Sequence, residues 1–90
     1  MPDPSPADLI RLCERVLSVD IDEDELRQAW PEQPANAQLA ELRETLFSGL
    51  EHLPGTIVDG EWQLDPGAWR RTPEHDDITF YLGRLRETQA

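Results

Sequence analysis

Beyond the first four residues, a helix-capping residue stands directly before a proline three times: Ser5-Pro6, Asp65-Pro66 and Thr72-Pro73. Proline suits the first position of a helix, where its missing N–H is no loss, and a Ser, Thr or Asp ahead of it accepts the bonds of the first turn. Each pair predicts a helix start. Pro31 and Pro54-Gly55 predict the opposite, because a helix does not run on through proline. Segments cut this short can build only a bundle of modest helices.

The segments carry the matching apolar pattern. After Pro6, Leu9, Leu12, Cys13, Val16 and Leu17 recur at helical spacing, and Ile10 widens the stripe. Asp22 is the next cap, with Glu25 as its capping-box partner and Ile21 and Leu26 at the hydrophobic-staple positions. Leu26, Ala29 and Trp30 face inward before Pro31 ends this short helix. Asn36 caps a third helix, whose stripe is Leu39, Leu42, Leu46, Leu50 and Leu53 with Phe47 alongside. Gly49 inside it either permits close packing or marks fraying. The last helix puts Ile78, Tyr81, Leu82 and Leu85 on one face and leaves Phe80 off it. The signals place the helices at about 6–18, 23–30, 37–53 and 73–87.

One segment reads differently. Asp59-Gly60 is a favoured two-residue hairpin turn, and pairing across it sets Ile57 opposite Trp62 and Val58 opposite Glu61. Leu64 shares the face of Trp62. Asp65-Pro66 then starts a single turn carrying Ala68 and Trp69. The expected fold is mainly α: a small helical bundle of three main helices plus one short helix, with a β-hairpin or an irregular segment at 55–71. Residues 1–5 read as a flexible N-terminal tail and 6–90 as a single small domain. The expected core is Leu9, Leu12, Val16, Leu26, Trp30, Leu42, Leu46, Leu50, Trp62, Ile78 and Leu82.

Composition narrows the function. Only 21 of 90 residues are Leu, Ile, Val or Phe, so stability rests on a small core that a homodimer or partner would reinforce. Nineteen acids against eight arginines and no lysine give a net charge of −11. That argues strongly against a binder of the phosphate backbone, which needs a basic surface. No apolar run approaches the roughly 20 residues that span a bilayer. With one cysteine and no secretion signal, a cytoplasmic location is expected.

The densest motif is Asp20-Ile21-Asp22-Glu23-Asp24-Glu25, five carboxylates in six residues. Its DxDxD start suggests a calcium loop, but Glu25 stands where the sharp turn needs glycine and Pro31 where a bidentate glutamate belongs. Two readings remain: a docking patch for a basic protein, or an over-capped helix start, which accounts for Asp22, Glu23 and Glu25 but not for Asp20. Cys13 lies on an apolar stripe and reads as a buried thiol. His52 and His75 sit near helix ends without metal-ligand spacing, and the serines and isolated glycines form no nucleophile or phosphate-loop motif. No cofactor, metal or catalytic set is expected, and the chain does not read as an enzyme.

Three tryptophans are many for this length. They either fill the core or supply an interface anchor, for which Trp62 and Trp69 are the candidates. The expectation is a small acidic cytoplasmic protein-binding module, an inhibitor, immunity-like or regulatory protein acting on a basic partner such as a nucleic-acid enzyme. Its partner-binding candidates are Asp20, Asp22, Glu23, Asp24, Glu25, Trp62 and Trp69. The size and charge are similar to those of small acidic helical inhibitors of nuclease toxins, an analogy that no motif carries. The alternative is a homodimeric structural or accessory subunit.

Overall fold

The structure, a computed structural model, describes residues 4–89, so residues 1–3 of the expected tail lie outside the described residues. Every helix in it starts on a side-chain cap. In α1 (Pro6–Leu17) Ser5 Oγ accepts from the Asp8 N–H at 3.2 Å. In α2 (Glu23–Ala29) Asp22 Oδ1 accepts from the Glu25 N–H at 2.8 Å. In α3 (Ala37–Glu51) Asn36 Oδ1 accepts from Gln38 at 2.8 Å and Leu39 at 3.1 Å. In α4 (Pro66–Arg70) Asp65 Oδ1 accepts from Ala68 at 3.1 Å. In α5 (Pro73–Gln89) Thr72 Oγ1 accepts from His75 at 3.2 Å. Each cap satisfies a first-turn donor that no carbonyl in the helix can reach, worth about 1 kcal/mol against alanine.

Between α3 and α4 the chain forms a hairpin, β1 (Gly55–Val58) and β2 (Glu61–Leu64). Asp59 and Gly60 both have positive φ, 53° and 83°, the signature of the type I′ turn that suits strand twist. The register sets Ile57 against Trp62 and Val58 against Glu61, as the sequence pattern predicts. The fold is mainly α with a small two-stranded sheet.

Helix α5 packs on both α1 and α3, α2 packs on α3, and α4 packs on α5. The buried side chains form one cluster. It takes Leu9, Leu12, Cys13 and Val16 from α1, Leu26 and Trp30 from α2 and its cap, Leu42, Leu46 and Leu50 from α3, and Ile78 and Leu82 from α5. Ile21 joins them from the connector. Two inward-facing expectations are corrected: Ala29 lies exposed on α2, and Trp62 lies exposed on the hairpin. Trp62 is 54% exposed, and Trp69, 3% exposed, fills the core instead. The reason is tertiary: the hairpin face that carries Trp62 meets the core through Leu64 at its base, whereas α4 turns Trp69 into the space between α1, α3 and α5.

Trp69 fits there through three contacts. Its Nε1–H donates to the Leu17 carbonyl at 2.9 Å. Its ring meets His75 edge-on, with centroids 5.2 Å apart. Its far edge lies over Gly49, where an added Cβ would stand 3.0 Å from Trp69 Cη2 and 3.4 Å from Ile78 Cδ1. Gly49 is therefore a point of close approach, not of fraying. Gly83 in α5 has nothing within 4 Å of such a Cβ. Gly83→Ala is expected to stabilise the protein by about 0.5–1 kcal/mol through helix propensity alone. Gly49→Ala is expected to destabilise it, because the ring above is held by its hydrogen bond and cannot retreat freely. Urea unfolding of the two variants checks this opposition of sign.

Candidate protein-binding surface

The acidic run is built by the way α1 ends. Ser18 is the C-cap and Val19 follows at φ 55°. The Val19 N–H bonds to the Val16 carbonyl at 3.1 Å, and the Asp20 N–H reaches back to Arg15 at 2.8 Å. This is a Schellman termination with valine in the place usually held by glycine. A β-branched residue is strained there, by roughly 1–2 kcal/mol; Val19 packs its side chain against the core. The turn sends Asp20 outward and Ile21 inward, and α2 begins at once.

Most of the carboxylates have local work. Asp22 is the α2 cap. Arg15 donates to the Asp20 carbonyl at 2.7 Å and to Glu25 Oε2 at 3.1 Å, and its Nε lies 3.8 Å from Asp20 Oδ2. Glu25 thus serves Arg15 rather than completing the capping box, which is half formed. Asp24 pairs with Arg27 at 3.1 Å. Glu23 has no ion pair among the described residues and lies in the first turn, where the helix dipole favours its charge. These pairs are exposed and contribute little to stability. Two arginines leave the corner acidic. The run lines an open depression together with Val19, Ile21, Leu50 and Leu53.

The tryptophan candidates part company. Trp69 is buried and offers no surface to a partner, which corrects its place among the docking candidates. Trp62 is exposed beside Ile57, which is 71% exposed, and its indole lies across Gly55 on the same hairpin face. At the base of the hairpin Leu64 packs against the core. The contribution of Ile57 to this face was legible in the pairing across Asp59-Gly60, though not its exposure. Phe80 is a second exposed ring, 61% accessible, with the Arg84 guanidinium 5.7 Å from its centroid and Tyr81 edge-on at 6.1 Å.

Reactive side chains meet at the end of α3. Ser48 Oγ lies 3.4 Å from His52 Nδ1 and 3.5 Å from Glu74 Oε1, a grouping with the residue types of a hydrolytic triad. Its geometry differs. His52 Nδ1 sits 3.0 Å from the Ser48 carbonyl, where it donates to close the end of α3, and the carboxylate approaches the serine rather than the imidazole. No group of three His, Cys, Asp or Glu side chains among the described residues is placed to hold a metal ion. None of the described helices is long and apolar enough to cross a membrane.

Burial pushes the Cys13 thiol from 9.0 up to about 12, with the Glu14 carboxylate adding to the effect. The folded state therefore holds a proton that the unfolded chain releases above pH 9. The associated stability is fully present below pH 9 and is lost as pH rises toward 12. Burial, followed by a hydrogen bond to Glu41, raises Tyr81 and adds a decline of the same sign at high pH. Cys13→Ala is expected to flatten the fall in urea-measured stability above pH 9. In the native protein a disulfide reagent is expected to leave Cys13 unmodified until urea unfolds the chain.

Comparison with protein-family models, with curated proteins and with solved structures found no match to this chain.

Proposed function

We propose that the chain is a small acidic protein-binding module, an inhibitor, immunity-like or regulatory protein acting on a basic protein partner in the cytoplasm, such as a nucleic-acid enzyme. The observation that carries this reading is the corner between α1 and α2, where five carboxylates surround a depression with an apolar floor. Val19 and Leu53, only partly buried, supply apolar area to cover, and the carboxylates supply the sign of the partner. A field from a molecule of net charge −11 speeds encounter with a basic surface and repels acidic ones. The exposed hairpin pair Ile57 and Trp62 adds an apolar anchor away from this corner. The same exposed pair favours a second reading, a homodimeric accessory subunit, against which the charge of two copies works.

A tagged pull-down from native lysate, nuclease-treated and run at low and high salt, is expected to return a basic protein that elutes with salt. With that protein purified, the triple variant Asp20→Asn, Glu23→Gln, Asp24→Asn is expected to associate several-fold more slowly and with a flatter dependence on salt. The variant leaves the Asp22 cap and the Glu25–Arg15 pair in place. Recovery of the chain alone, as a salt-resistant dimer in light scattering, would overturn this reading in favour of the accessory subunit.

A further inference from the structure

The hairpin is an unfinished sheet. Two strands alone are barely stable in water, and a third strand or a covering helix is the usual remedy. Among the described residues the sheet has two strands, and it meets the helical core through Leu64 at its base while Ile57 and Trp62 stay exposed. The hydrogen-bond alternation shows which backbone groups are left over. The Asp65 N–H bonds to the Pro54 carbonyl at 3.0 Å. Counting in from that bonded pair, Thr56/Gln63 and Val58/Glu61 also exchange bonds, while Gly55/Leu64 and Ile57/Trp62 do not. The N–H and C=O groups of Trp62 and Leu64 therefore point away from β1, along the free edge of β2.

The two edges differ in charge. β1 carries none. β2 holds Glu61 and is followed directly by Asp65, Asp59 stands in the turn between the strands, and no arginine lies between Arg43 and Arg70. Along β2 the faces alternate: Trp62 and Leu64 on one, Glu61 and Gln63 on the other. Neither lysine nor proline, the usual guards against strand addition, stands within β2. A second copy of the chain would bring the same acids to the same edge, so charge disfavours self-pairing.

We infer that the outer edge of β2 takes an extended cationic segment of a partner protein as a third strand. The incoming strand alternates apolar residues beside Trp62 with Lys or Arg beside Glu61. Backbone bonds to Trp62 and Leu64 supply affinity, and the alternation supplies selectivity. This rests on the reading of the chain as a binder of basic proteins and names the segment that such a partner presents.

The probe is a nine-residue peptide of alternating Arg and Val, with a block-ordered peptide of the same composition and a Glu-for-Arg peptide as controls. Titration followed by backbone NMR and amide exchange is expected to show slowed exchange at Trp62 and Leu64 with the alternating peptide. The block peptide is expected to bind about tenfold more weakly, and the acidic peptide not at all. Trp62→Ala and, more conservatively, Glu61→Gln are each expected to weaken the alternating peptide several-fold. Both positions are exposed, and circular dichroism checks that the variants fold. Three results would overturn the inference: no binding of the alternating peptide, protection of β1 instead of β2, or Trp62-dependent self-association. Perturbation confined to residues 20–25 would also overturn it, while leaving the wider reading of a basic partner standing.

Discussion

The last carbonyl of α1 finds its donor 52 residues away, on the indole of Trp69. The three carbonyls before it are satisfied locally: Glu14 by the Ser18 N–H, Arg15 by Asp20 and Val16 by Val19. Without Trp69, Leu17 would keep an unmet acceptor beside the core, a cost of about 1–3 kcal/mol. The same ring rests on Gly49 of α3 and against His75 of α5. One side chain thus sets the spacing of the three principal helices and fixes the corner where the acidic run begins. Arg43 plays a smaller version of this part, donating to the Trp30 carbonyl at 3.1 Å while its guanidinium lies 4.7 Å from the Phe47 centroid.

Such a core leaves little apolar material elsewhere, and what is left over is informative. A chain with few large aliphatic residues places Ile57 and Trp62 outside, on a hairpin that its helices leave uncovered. The arginines are used mainly to order acids rather than to neutralise them. Arg15 braces the α1–α2 corner, and Arg86 ties α5 to Glu14 of α1 at 3.2 Å. The surface that remains is anionic with three apolar points of contact, the corner between α1 and α2, the hairpin face and Phe80 on α5.

Much of this was legible in the sequence because it is local chemistry. Ser5, Asp22, Asn36, Asp65 and Thr72 each declared a cap by residue type and by what followed. Asp59-Gly60 declared the turn and with it the register. The fates of Trp62 and Trp69 were not legible. Alternation with Leu64 gave Trp62 an inward-facing pattern, but burial needs a covering helix, and that is decided by the whole fold. Trp69 lies in a helix of five residues, too short for a periodic signal. Of the candidate site, the sequence showed the acidic crowding but not its internal partners. That Glu25 would turn to Arg15 depends on the Schellman turn at Val19, a residue whose type argues against that conformation.

The tryptophans divide their labour: Trp30 and Trp69 hold the core while Trp62 faces water. Acrylamide quenching of tryptophan fluorescence tests this division directly, on the native chain and on the exposed-site variant Trp62→Phe. One readily quenched component with red-shifted emission is expected in the native protein, and it is expected to disappear in Trp62→Phe. A quenchable fraction that survives in Trp62→Phe would contradict this division, because Trp30 or Trp69 would then be open to solvent and the helices would not be joined as described.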